Sequence, residues 1–248
     1  MSSGAGVSRR RVLYGGAVLA GGLLAGAGFV GGVAVGSSDR PELPPERTPR
    51  TPEEAWRLLM SGNERWASGG SIHPNQDVAR RIEVAGGQTP YAVVVSCIDS
   101  RVPPEMVFDA GVGDVLAVRT AAHTVDPLVT AAIEYGPEDL RAPLVVVLGH
   151  QRCGAVTAAA QALSKQDRLP GGMQHIVLAL RPAYLRMTGR GQVIVDPLLV
   201  ESMVRDHTVT VARRLSRDPL LAPRIRAGGL RVVGAYYSLE TGRVSRIV

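Results

Sequence analysis

Cys97, Asp99 and Arg101 stand in the run Val-Val-Val-Ser-Cys97-Ile-Asp99-Ser-Arg101. The second of the chain's two cysteines, Cys153, closes the run Val-Val-Leu-Gly-His150-Gln-Arg-Cys153-Gly154. Two thiols, one imidazole and one carboxylate thus lie just past hydrophobic runs of strand type. Zinc suits this set, because it takes Cys, His and Asp in tetrahedral geometry. Cys97, Asp99, His150 and Cys153 are therefore the candidate metal ligands. Cys97 and Cys153 as thiolates with neutral His150 leave one position for water, whose pKa falls toward about 7. Two thiolates donate more charge than two further imidazoles, which places that pKa above the value of a three-histidine site. Asp99 is close enough in sequence to accept a hydrogen bond from the resulting hydroxide. Arg101, two residues on, can hold the Asp99 carboxylate in a bidentate pair. A disulfide would account for the thiols but gives His150, Asp99 and Arg101 no role, and a structural zinc would be closed by four strong ligands.

These residues need strands to carry them. Ala92 to Cys97 is a short β-branched run that reads as a buried strand. Further strands are expected at Asp114 to Arg119, Leu144 to His150 and Leu230 to Tyr236. Thr241-Gly242 turns the chain into a short edge strand, Val244 to Val248. Helices are expected between them at Pro103 to Phe108, Asp126 to Tyr135, Gly154 to Leu163 and Pro197 to Leu215, with a loop at Pro170-Gly171-Gly172. Strands alternating with helices give an α/β class: a mostly parallel central sheet of four parallel core strands, suggested order 2-1-3-4, plus the edge strand, flanked by helices. With the first and third strands adjacent, Cys97 and His150 meet at the strand carboxyl ends, where such sheets bind ligands. His-x-x-Cys spacing then lets His150 and Cys153 face one point.

Ahead of the first strand, Thr51-Pro52-Glu53-Glu54 is a helix start with an N-cap, a proline at N1 and acids in the first turn. Trp56, Leu59, Met60, Asn63 and Trp66 recur at helical spacing, and Gly69-Gly70 ends the helix. This N-terminal helical arm must bury its apolar face, and a partner subunit is the expected place. Among the histidines, His123 has the pKa range of a proton shuttle, although a capping or interface role is the commoner one. His73, His175 and His207 read as surface or packing residues, and one of Tyr236 and Tyr237 belongs in the core.

The 248 residues carry a formal charge of +6, of which Arg9, Arg10 and Arg11 supply three, with no acid among residues 1–36. Only one lysine, Lys165, is present, and no compact basic tract follows the leader. Nucleic-acid binding needs a clustered positive face and is set aside. Residues 1–36 join a basic start to a Gly- and Ala-rich apolar run, a pattern expected of a twin-arginine-type export signal or of a retained membrane anchor. Residues 37–51 form a Pro-rich linker, and residues 52–248 form the single folded domain. The chain is thus expected to be exported, touching a membrane only through the N-terminal segment if that is uncleaved. The twin-arginine route carries folded proteins, which would let zinc be loaded before exposure to an oxidising compartment.

The pairing of Cys-x-Asp-Ser-Arg at 97–101 with His-x-x-Cys-Gly at 150–154 resembles the β-class carbonic anhydrases. The likeness extends to Gly62-Asn63-Glu64-Arg65-Trp66, His73-Pro74-Asn75-Gln76, Phe108-Asp109-Ala110-Gly111, Val118-Arg119-Thr120-Ala121-Ala122-His123 and Val233-Gly234-Ala235-Tyr236-Tyr237. It implies one zinc per chain and reversible hydration of CO2 to bicarbonate by zinc-bound hydroxide, with Asp99 and Arg101 catalytic. It also implies a second state in which Asp99 leaves Arg101 and becomes the fourth ligand. Gln76, reaching across a subunit interface, and the Gly154 amide would bind substrate, in a homodimer or homotetramer. Ala122, where the family usually has Gly, and Ser238, where an Asp is common, depart from the pattern, and neither is expected to touch a ligand. Hydrolysis of a CO2-like molecule such as carbon disulfide or carbonyl sulfide would use the same ligands, and a non-catalytic zinc- or disulfide-bearing binding module is the non-enzymatic alternative.

Overall fold

A computed structural model describes residues 49–189 and 193–248. The leader 1–36 and nearly all of the 37–51 linker lie outside the described residues. Five strands form one sheet: β1 (Ala92–Cys97), β2 (Val115–Thr120), β3 (Leu144–His150), β4 (Arg231–Tyr237) and β5 (Val244–Arg246), in the order β2-β1-β3-β4-β5. The first four are parallel and β5 is antiparallel to β4. This is the expected order. β5 is shorter than expected, ending at Arg246, because Val248 turns its carbonyl and amide to Gly234 alone.

The helices are α1 (Pro52–Ser68), α2 (Val78–Glu83), α3 (Pro104–Val107), α4 (Pro127–Asp139), α5 (Gly154–Lys165), α6 (Met173–Thr188), α7 (Pro197–Ser216) and α8 (Ala222–Arg226). Both faces of the sheet are covered, as the unbroken apolar runs of β1 and β3 demand. Val93, Val95, Val145 and Val147 pack with Ile133 of α4 and with Val211, Ala212 and Leu215 of α7. Val94, Val146 and Leu148 join Leu59 of α1, Val156 and Ala160 of α5, and Leu180 of α6. α6 follows the expected loop at Pro170-Gly171-Gly172, in a stretch to which the sequence assigned no element. Its Pro182 and the exposed Met173, Leu178 and Met187 blur the helical stripe, while Val177, Leu180, Ala183 and Tyr184 are buried.

α1 begins and ends as its sequence dictates. Thr51 caps Glu54, Glu54 returns the bond, and Gly69 closes the helix in the left-handed conformation at φ 75°. Part of its apolar face is buried on its own chain, while Trp56, Met60 and Trp66 are only partly covered there. Ala55 and Leu59 are fully buried in the core. Asn63 donates to the carbonyls of Val107 (3.0 Å) and Gly242 (2.8 Å) and accepts from the Val244 amide (2.8 Å). Gly62 permits this approach, since a Cβ there would lie 1.8 Å from the Phe108 carbonyl oxygen. Trp66 donates its indole N–H to the Tyr237 hydroxyl at 3.0 Å. Tyr236 and Tyr237 are both buried, one more than expected.

Candidate metal centre

β1 and β3 are neighbours, so their carboxyl ends bring Cys97 and His150 together, and Cys153 follows as the N-cap of α5. All three are at most 2% exposed. Their donor atoms lie within 4.8 Å of one another. The sulfurs of Cys97 and Cys153 are 3.9 Å apart and form no disulfide. Two thiolates bound to one tetrahedral zinc at about 2.3 Å each would stand about 3.8 Å apart. His150 completes the set. Its Nδ1 lies 3.0 Å from the Gln151 carbonyl, which fixes the proton on Nδ1 and leaves Nε2 with a lone pair. That Nε2 is buried without a hydrogen-bond partner. A buried, unpartnered acceptor beside two sulfurs at this spacing fits zinc.

The thiols share their charge unequally. The two sulfurs lie within hydrogen-bond reach of each other, and that contact, with help from His150 and from the Asp99 and Ala122 amides, outweighs burial and lowers the Cys97 thiol. Cys153 is pushed up by that same bond and by burial. A cation between the two sulfurs is what would let both ionise.

Asp99 and Arg101 form the expected bidentate pair. Arg101 Nε donates to Oδ1 at 2.8 Å and Nη2 to Oδ2 at 2.7 Å, while the Arg101 amide donates to Oδ1 at 3.0 Å. These bonds, the side-chain ones foremost, hold the Asp99 carboxyl at about 2 against the opposing effect of burial. Asp99 sits in the arginine fork, outside the three-donor group. Arg119, on β2, steadies the loop: its Nε donates to the Cys97 carbonyl at 2.9 Å and its Nη2 to the Asp99 carbonyl at 2.6 Å. The sequence carried no role for Arg119; a cation at the end of a strand beside the ligand strand was the available signal.

Gly154 opens α5 next to Cys153, and a Cβ there would meet nothing within 4 Å. Gln76 gives its side-chain N–H to the Ala110 carbonyl of its own chain at 3.0 Å, so within one chain its hydrogen bond does not go to the three donors. Two expectations are corrected. Ala122 does touch a ligand, because its amide donates to the Cys97 sulfur at 3.3 Å. His123, expected in a capping or interface role, is a core residue instead. It is fully buried, its Nε2 lies 3.2 Å from Thr208 Oγ1, and its ring centroid lies 4.9 Å from that of His207. Burial, reinforced by His207, holds it neutral, well below the usual imidazole range. Room for this pair comes from Gly149, where a Cβ would lie 2.3 Å from Thr208 Oγ1. Ser238 leaves the ligands alone, as expected, and bonds to the Gln151 side chain at 3.4 Å. His73 and His175 are exposed and His207 is a packing residue.

Comparison with known proteins agrees with this site. The carbonic anhydrase family model matches residues 92–244. Carbonic anhydrase 2 of Mycobacterium tuberculosis is 42% identical over 193 residues, covering 77% of this chain and 91% of its own. A carbonic anhydrase of Mycolicibacterium smegmatis is 40% identical over 193 residues, covering 78% and 92%. Among solved structures, a tetrameric beta-carbonic anhydrase of Sordaria macrospora superposes with a TM-score of 0.61 at 25% identity, over 77% of this chain and 96% of that one. The beta-carbonic anhydrase CafA of Aspergillus fumigatus shares the fold, with a TM-score of 0.62 at 24% identity over 77% of this chain and 90% of its own. With its parallel sheet and its Cys97–His150–Cys153 group at the strand ends, this chain belongs to the carbonic anhydrase family, and within it to the beta class.

Proposed function

We propose that the enzyme hydrates CO2 reversibly to bicarbonate and a proton, with one zinc per chain held by Cys97, His150 and Cys153 and with Asp99 and Arg101 as the orienting dyad. The observation that carries this reading is the three-donor group, with its 3.9 Å sulfur spacing and the unpartnered His150 Nε2. Zinc there supplies the Lewis acidity that lets water ionise near neutral pH.

The remaining work falls to the chain. Arg101 keeps Asp99 ionised, so the carboxylate can only accept a hydrogen bond. Asp99 therefore selects an oxygen nucleophile that still carries a proton and turns its lone pair toward the carbon of CO2. Cys97, His150 and Cys153 are buried, and they confine the reaction to the open side where Asp99 and Gly154 lie. The Gly154 amide, at the first turn of α5, would donate to bicarbonate under this reading. Release of Asp99 from Arg101 would let the carboxylate take the fourth ligand position and close the site.

Gln76 joins the site in an oligomer under this reading. β2 is the last strand on its side of the sheet, and α2, tied through Arg80 to Val112 and Asp114 ahead of β2, has no buried residue, with Val78 60% and Ile82 66% exposed. Such an edge and apolar helix call for cover, and a second copy in a homodimer or homotetramer provides it. The N-terminal 36 residues fit export by the twin-arginine route, with zinc acquired before translocation, or a retained anchor.

The test is stopped-flow CO2 hydration on zinc-quantified protein. Wild type is expected to be active with one zinc per chain, Asp99→Asn to keep zinc and lose at least about tenfold in rate, and Cys153→Ser to lose zinc. Full activity in metal-free protein, or turnover of carbonyl sulfide with no hydration of CO2, would overturn the reading.

A further inference from the structure

Arg152 stands between the ligands His150 and Cys153 with a φ of 51°. For a residue with a long side chain this left-handed conformation persists only when its surroundings impose it. Three contacts do so. The Arg152 amide donates to Glu201 Oε1 at 2.9 Å, its Nη1 donates to Glu240 Oε1 at 2.6 Å, and its carbonyl accepts from Arg101 Nη2 at 3.3 Å. The Glu240 contact joins two side chains that are 53% and 61% exposed, and pairs of that kind contribute little. Glu201 is different. It projects from α7, 49 residues along the chain, and fixes a main-chain donor.

The carbonyl of Arg152 and the carboxylate of Asp99 share one donor nitrogen, since Arg101 Nη2 also bonds Asp99 Oδ2. If the Arg152 peptide relaxes toward the right-handed region, that carbonyl swings away. Arg101 then loses the support that orients it on Asp99, and Cys153, next in the chain, moves with the turn. We propose that Glu201 is a positioning residue: from α7 it pins the turn between two metal ligands, so that Arg152 braces Arg101 against Asp99. This rests on the dyad reading given above. Nothing in the sequence around Glu201 marks it.

The test uses the full zinc-loaded protein with Glu201→Met, which keeps length but removes the acceptor, and Glu201→Gln, which keeps an oxygen. Glu201→Met is expected to lower kcat/KM for CO2 hydration at high buffer about tenfold and to speed zinc release to a chelator by a similar factor. Glu201→Gln restores both to within about threefold of wild type. In an Arg152→Gly background, where the left-handed turn needs no external support, the Glu201→Met penalty shrinks on both measures. Wild-type behaviour of Glu201→Met, equal loss in both Glu201 variants (including failure of both to fold), or an undiminished penalty in the glycine background would each overturn the proposal. Asp99→Asn separates the two levels. An active Asp99→Asn enzyme removes the dyad reading itself, whereas an inactive one beside a normal Glu201→Met removes only the role of Glu201.

Discussion

Ala122 donates its main-chain N–H to the Cys97 sulfur at 3.3 Å while held at φ 54° and ψ 30°. The bond stabilises the thiolate, and the conformation strains an alanine by about 1–2 kcal/mol. Glycine would relieve that strain but lose a buried methyl and gain unfolded-state freedom, effects of about 0.5–1 kcal/mol each. Ala122→Gly is therefore expected to change stability by less than about 1 kcal/mol and to keep its zinc. Ala122→Val adds branching in a fully buried left-handed position and is expected to cost more than about 2 kcal/mol. Urea denaturation of the three zinc-loaded proteins checks both.

Asn63 ties α1 to the end of α3, to the turn at Gly242 and to β5 through three bonds to main-chain groups. Leucine has the same branching and number of side-chain heavy atoms but no polar atoms, so Asn63→Leu strands one N–H and leaves two carbonyls short of a partner. A loss of about 3 kcal/mol is expected, read as a lower thermal midpoint. The zinc stoichiometry should stay at the wild-type value, because Asn63 contacts none of the metal donors.

His207 gives the fold a pH dependence of defined sign. Burial foremost, with Arg214 and Arg186 adding and Asp206 opposing, lowers its pKa to about 4. The unfolded chain takes up this proton near pH 6.5 and the folded chain does not until about 4, so stability is present above 6.5 and lost as pH falls toward 4. The loss attributable to this residue is about 1 kcal/mol at pH 5.5 and about 3 kcal/mol by pH 4. His123, lowered by burial and by His207, acts in the same direction. Urea midpoints of wild type and His207→Phe between pH 7.5 and 5 should converge or cross as pH falls, because phenylalanine has no proton to gain. Parallel curves would rule this out.

Metal removal exposes the two sulfurs to each other. In chelated protein treated with diamide, Cys97 and Cys153 are expected to give up one hydrogen each to the oxidant and join, since 3.9 Å already separates them and a disulfide needs about 2 Å. Mass spectrometry should show the loss of two hydrogens and a cross-linked peptide pair. Zinc uptake should then require prior reduction. Zinc-loaded protein under the same treatment should remain unlinked.

What was legible in the sequence follows from where the determining forces lie. β1 and β3 are written locally, as β-branched apolar runs, and α1 by its capping box and terminal glycine. Cys97, His150 and Cys153 were legible because few residue types bind zinc and their spacing matches strand ends. Elsewhere the determinants are distant. The depth of His123 depends on the missing side chain of Gly149, 26 positions away in sequence. α2 buries nothing within its own chain and so shows no stripe to read. The apolar face of α1 was clear, but the surface it covers was not, because Gly62, Phe108 and Gly242 must meet before it exists.

Two of the three donors stand at the ends of adjacent parallel strands that approach each other only after the intervening chain, including β2 and α4, has folded. Successive side chains of a strand point to opposite faces, so a one-residue slip of β1 against β3 would aim Cys97 and His150 away from each other. A metal held by all three donors would therefore favour the correctly paired sheet over its slipped competitors. A chain without that metal would lose a ligand that tells the right sheet from its near neighbours.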